Sequence, residues 1–125
     1  IMDARGSSSD NLMIDCGQGF TKASYNLVVT NTKDGKTAEL SFKYDVIVTF
    51  NEALPEGIAI SVDKINGTVS SDRKTVTISD VGRFTAGETQ TREHTMVFSV
   101  VNANFLLRDY VFKNVNVSVR AEQIY

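Results

Sequence analysis

Residues 38–50 read AELSFKYDVIVTF. Ala38, Leu40, Phe42, Tyr44, Val46, Val48 and Phe50 share one parity, Glu39, Ser41, Lys43, Asp45 and Thr49 the other, with Ile47 the single apolar intruder. Successive side chains of an extended chain point to opposite sides of a sheet. The alternation therefore predicts a long strand with one face on a core and one in water. Helical patterning would place apolar residues three and four apart, and that spacing is scarce along the whole chain. The fold class that follows is all-β.

Upstream, SYNLVVTNT at 24–32 puts Tyr25, Leu27 and Val29 on one face of a second strand. Between the two strands lies Lys33-Asp34-Gly35-Lys36, whose Asp-Gly step supplies the positive φ of a tight turn. The expectation is that the flanking strands pair as a hairpin. Downstream, 58–63 reads as a short strand after a loop at 51–57 that holds the one proline, Pro55, outside any ladder. Asn66-Gly67 signals a turn, 75–78 another short strand, and Ala86-Gly87 a turn into 88–101, where Met96, Phe98 and Val100 alternate. Beyond a loop at 102–108, a last strand carries Val111, Val115, Val117, Val119 and Ala121 on one face. Asn114, Asn116, Ser118, Arg120 and Glu122 take the other. About eight short strands separated by regular turn signals predict an antiparallel β-sandwich, jelly-roll or Ig-like in topology. The sandwich is expected over residues 11–125, with 1–10 as an N-terminal extension.

A chain of 125 residues suits one domain with a proper core. The net charge of −2 and pI near 5.3 give no reason to expect a nucleic-acid partner. No apolar run approaches the roughly 20 residues of a membrane-crossing helix, so no membrane insertion is expected. The first residue is Ile1, which reads as the start of a mature chain after signal-peptide cleavage, and hence of an extracellular protein. The single cysteine, Cys16, shares a strand face with Leu12 and Ile14 and reads as a small buried hydrophobe.

Catalytic chemistry finds little support. The sole histidine, His94 in REHT, is expected on the solvated face or at the start of its strand. A zinc site would need further His or Cys ligands that the chain does not have. No HExxH, CxxC, P-loop or GxSxG pattern occurs. Asp10, Asp15, Asp34, Glu52 and Glu56 are scattered over predicted turns, and none builds an EF-hand loop. The sequons at Asn66 and Asn116 carry weight only in a eukaryotic setting. No catalytic residue, metal or cofactor is assigned, and a structural or adhesive role is expected rather than an enzyme.

Four stretches taken in order, SYNLVVTN at 24–31, LPEGIAI at 54–60, FTAGET at 84–89 and VSVRAEQ at 117–123, resemble the TasA/camelysin family. These are bacterial proteins secreted with a dedicated SipW-type signal peptidase. The ending V-x-V-x-A-E-Q before an apolar residue is the most characteristic piece. The resemblance implies a jelly-roll sandwich that assembles into extracellular fibres of a biofilm matrix, the N-terminal segment of one subunit completing a sheet of the next. The metallopeptidase label of some relatives is not carried over, because the chain offers no metal-binding cluster.

Edge strands of an open sandwich expose N–H and C=O groups that invite another strand, and head-to-tail donation makes an open filament. On this reading the candidate donor segment is Ile1, Met2, Asp3, Ala4, Arg5, Gly6, Ser7 and Ser8, and the partners are other copies of the chain. The alternative is a monomeric Ig-like adhesive or decoration module on a cell or phage surface. Its binding loop would be 102–108, with Phe105, Leu106 and Leu107 at its centre; the same residues could instead cap one end of the sandwich.

Overall fold

The computed structural model describes residues 3–6, 11–14, 22–33, 36–37, 39–101, 110–113 and 115–124. In chain order the strands are β1 (Asp3–Gly6), β2 (Asn11–Ile14), β3 (Lys22–Thr30), β4 (Thr32–Lys33), β5 (Lys36–Thr37), β6 (Phe42–Thr49) and β7 (Ile58–Val62). They continue with β8 (Ile65–Asn66), β9 (Thr68–Val69), β10 (Thr75–Phe84), β11 (Thr91–Val100), β12 (Tyr110–Lys113) and β13 (Asn116–Gln123). No helix occurs among the described residues. One sheet has the order β1-β3-β11-β7-β8 and the other β13-β6-β10-β9, while β12 pairs β2 and β4 pairs β5 as separate ribbons. Every pairing is antiparallel. The chain is an antiparallel β-sandwich.

The core lies between the two larger sheets. Tyr25, Leu27 and Val29 of β3, Ile58, Ile60 and Val62 of β7, and Met96 and Phe98 of β11 line one side. Tyr44, Val46 and Val48 of β6 and Val76, Ile78 and Phe84 of β10 line the other. Each strand contributes residues of one parity, which is how a pleated strand presents one face to an apolar layer. Burying each such side chain contributes about 1.5–3 kcal/mol. Leu54, from the proline loop, is also buried. Arg73 holds that loop, its Nε and Nη2 donating to the carbonyls of Leu54 at 2.8 Å and Pro55 at 3.0 Å.

The hairpin expected across residues 33–36 is not how the long strands pair. Thr32 and Lys33 do pair with Thr37 and Lys36, but only as a two-residue ribbon. Beyond it β3 joins β1 and β11, whereas β6 joins β13 and β10 in the opposite sheet. Turn chemistry acts on the four residues around it. The partners of a nine-residue strand are set by where its apolar face can be buried, and here β3 and β6 bury theirs from opposite sheets. Leu40, expected inside, is 47% exposed because the strand begins at Phe42.

Two further expectations shift. The last strand is two strands: Tyr110–Lys113 pairs with β2, and Asn116–Gln123 with β6. Val115, Val117 and Val119 pack against the core as read, but Ala121 is exposed. The turn near Asn66-Gly67 lies earlier. Val62 pairs with Ile65, so the reversal is made by Asp63 and Lys64, whose φ values of 49° and 70° suit a two-residue type I′ turn. Gly67 instead lies where the chain passes from β8 in one sheet to β9 in the other. Its N–H donates to Ile60 O at 2.9 Å, and a Cβ there would press on Val76 Cγ1.

The strand expected at 75–78 continues to Phe84 through a bulge. Ile78 pairs with Val46 and Gly82 with Tyr44, so 79–81 bow out opposite Asp45. A two-residue offset preserves parity, and Phe84 therefore points inward like Ile78.

Candidate functional site

Two features stand out from the packed core: a buried polar chain between the sheets, and the sandwich edge formed by the N-terminal strand. The first is built on Tyr44 of β6, His94 of β11 and Asp63 of the β7–β8 turn. His94 was expected in solvent, yet it is 6% exposed and faces inward. It shares parity with Met96 and Phe98, and the strand already begins at Thr91, so its face was fixed by the same alternation.

Asp63 Oδ2 lies 2.6 Å from His94 Nδ1, and Tyr44 Oη lies 2.5 Å from His94 Nε2. A carboxylate only accepts, so Nδ1 carries a proton and donates to Asp63, and in the neutral ring Nε2 accepts from the Tyr44 hydroxyl. Asp63 Oδ1 accepts a third bond from the Thr95 N–H at 2.9 Å. Burial raises the Asp63 pKa, but the bonds from His94 and Thr95 outweigh it and hold the carboxyl below its ordinary value. The Tyr44 hydroxyl is pushed up to about 12 by burial, with Arg92 opposing and Asp63 adding to the shift. Its ring stacks on Phe84 with centroids 5.3 Å apart, and Arg92 lies over the Phe84 ring at 5.4 Å. Gly82 makes room for this stack, since a Cβ there would lie 2.6 Å from Tyr44 Cζ.

An acid, an imidazole and a hydroxyl in series resemble a nucleophile relay. Here the hydroxyl belongs to a residue that is 1% exposed, and burial holds its proton on at neutral pH. What the chain does is tie one sheet to the other with satisfied polar groups. Among the described residues, no group of three or more His, Cys, Asp or Glu is placed to hold a metal ion. Glu52 and Glu56 are exposed, while Asp10, Asp15, Asp34, Cys16 and 102–108 lie outside the described residues.

The second feature is the edge. Of the candidate donor residues, Asp3, Ala4, Arg5 and Gly6 form β1, and Ile1, Met2, Ser7 and Ser8 lie outside the described residues. β1 runs along β3 of its own chain, with Asp3 opposite Thr30, Ala4 opposite Val29, Arg5 opposite Val28 and Gly6 opposite Leu27. It also lies close to β13, the edge strand of the other sheet. The chain matches no family model and no curated protein. At the opposite side the outer strands β8 and β9 have two residues each, too short to template a partner.

β13 is pinned to β6 by cross-strand charges on the outer face. Arg120 Nη2 meets Asp45 Oδ2 at 2.7 Å and Lys43 Nζ meets Glu122 Oε2 at 3.6 Å. Asp45 also accepts the Asp80 N–H at 2.8 Å, at the point where φ of Asp80 is 54°. The carboxylate thereby closes the bulge, a role that solvent-facing parity concealed. Its pKa is lowered chiefly by that backbone bond, against burial, with Arg120 and Lys43 adding.

Proposed function

We propose that this chain is the structural subunit of an extracellular bacterial filament or biofilm-matrix fibre, polymerising head to tail by exchange of its N-terminal segment. The observation that carries the reading is the place of β1, a short strand at the edge of β3. Pairing of this kind rests on main-chain N–H and C=O groups, which are identical in every copy, so a neighbour's segment fits the same edge. Each copy has one segment to give and one edge to fill, and such an exchange adds subunits without closing. The resemblance of SYNLVVTN, LPEGIAI, FTAGET and VSVRAEQ to the TasA/camelysin family supports the same role and a secreted location. The role proposed is non-catalytic and needs no cofactor, in keeping with the burial of Tyr44 and His94.

Deleting residues 1–8 tests the proposal. The shortened protein should keep its far-ultraviolet spectrum and thermal transition yet give no filaments by negative-stain microscopy, where the full chain gives them. Filaments from the shortened protein would refute segment exchange. A full chain that sediments as a monomer at high concentration would point instead to a monomeric adhesive or decoration module.

A further inference from the structure

We infer that β1 is a plug of its own acceptor edge: residues 3–6 occupy, in the single chain, the stretch of β3 at 27–30 that takes a neighbour's segment. This rests on the filament reading and adds to it the acceptor edge and a brake on assembly. The register makes the edge explicit, since Asp3, Ala4, Arg5 and Gly6 pair with Thr30, Val29, Val28 and Leu27. The same stretch of β3 carries Leu27 and Val29, both fully buried.

The plug is weak by composition. DARG offers no β-branched or aromatic residue, ends in glycine and spans four residues against the nine of β3. An edge strand of this kind opens at a small fraction of the global unfolding free energy. The next strand is anchored separately, because β2 pairs with β12 from Asn11 opposite Lys113 to Ile14 opposite Tyr110. β1 can therefore leave while the domain remains folded.

Inside and between chains the same bonds form, so exchange trades equal contacts; concentration decides between monomer and polymer, and the rate of opening sets how fast one becomes the other. The chain from Gly6 to Asn11 crosses five peptide steps, or about 17 Å fully extended. In the filament, Leu27 of the accepting copy must then lie within about 23 Å of Asn11 of the donor, that reach plus the spacing of register partners, which packs successive domains closely.

A reversible lock tests this. Arg5→Cys with Val28→Cys, in a Cys16→Ser background, places two thiols at register partners, whose Cα spacing of about 4.5–5.5 Å suits a disulfide. Asp3→Cys with Thr30→Cys repeats the test at a second register pair in case the first pair disturbs folding. Oxidised as a dilute monomer, the protein should carry an internal disulfide, form no filaments at concentrations where the reduced protein does, and recover on adding reductant. Oxidised after assembly, it should run as a ladder of covalent multimers on a non-reducing gel. If the locked monomer polymerises like the reduced one, or oxidised filaments run as monomers, the plug and segment exchange are refuted together, while a filament role by another contact stands. If neither the reduced variants nor the unaltered chain polymerise, the filament role falls with them.

Discussion

Removing the Tyr44 hydroxyl or the His94 ring should cost stability in a way that reveals their bond. Tyr44→Phe deletes one buried hydrogen bond, whose net contribution is about 0.5–1.5 kcal/mol, and leaves His94 Nε2 without a donor. A loss of about 1.5–2 kcal/mol is expected. His94→Leu removes the bonds to both Tyr44 and Asp63 and strands the Tyr44 hydroxyl, which is 1% exposed. Orphaning such a group costs about 1–3 kcal/mol, whereas Asp63, with its side chain 45% exposed, is rehydrated at little cost. The expected total is about 3 kcal/mol. In the double variant nothing is orphaned, so its loss should be about 2 kcal/mol smaller than the sum of the single losses. Urea unfolding of the four proteins measures the cycle, provided the m-values agree. Losses that add to within about 0.5 kcal/mol would show that the two side chains are not coupled, and the bond between the sheets would be refuted.

Val46 is fully buried, and Val46→Asp would place an unpaired charge in the core, costing several kcal/mol and unfolding a domain of ordinary stability. Asp45→Val, one position away, should cost about 1–2 kcal/mol through loss of the Asp80 N–H and Arg120 bonds; thermal melts of the pair check both the strand parity and the bulge. In acid, Asp45 and Asp63 act with one sign. Both fold with pKa values below 3.8, so the unfolded chain binds more protons; their stabilisation is complete above that value and lost as pH falls through the lower folded values. Melts between pH 7 and 2 should show stability falling below about pH 4, less steeply for Asp45→Asn than for the unaltered chain.

Much of the sandwich was legible in residues 38–50, 24–32 and 58–63, because the inward parity of a strand follows from covalent geometry and needs no knowledge of its partners. Tyr25, Leu27, Val29, Tyr44, Val46, Val48, Ile58 and Ile60 are buried for that reason. The same rule contained His94, two residues before Met96, though a histidine beside Arg92 and Glu93 looked like surface. The partners of each strand were not legible. A turn such as Asp34-Gly35 governs the residues it joins, while the pairing of β3 with β11, or of β6 with β13, depends on apolar faces brought together from distant parts of the chain. Asp63 and Asp45 belong to this second kind. Their spacing carries no trace of His94, Asp80 or Arg120, which lie 31, 35 and 75 residues away and become hydrogen-bond partners only when the sheets are assembled. The sequence by itself determined which side of each strand is apolar, through the two-residue period of the extended backbone. The tertiary structure alone decided which strands meet, because burial and hydrogen-bond satisfaction are properties of the whole packed chain.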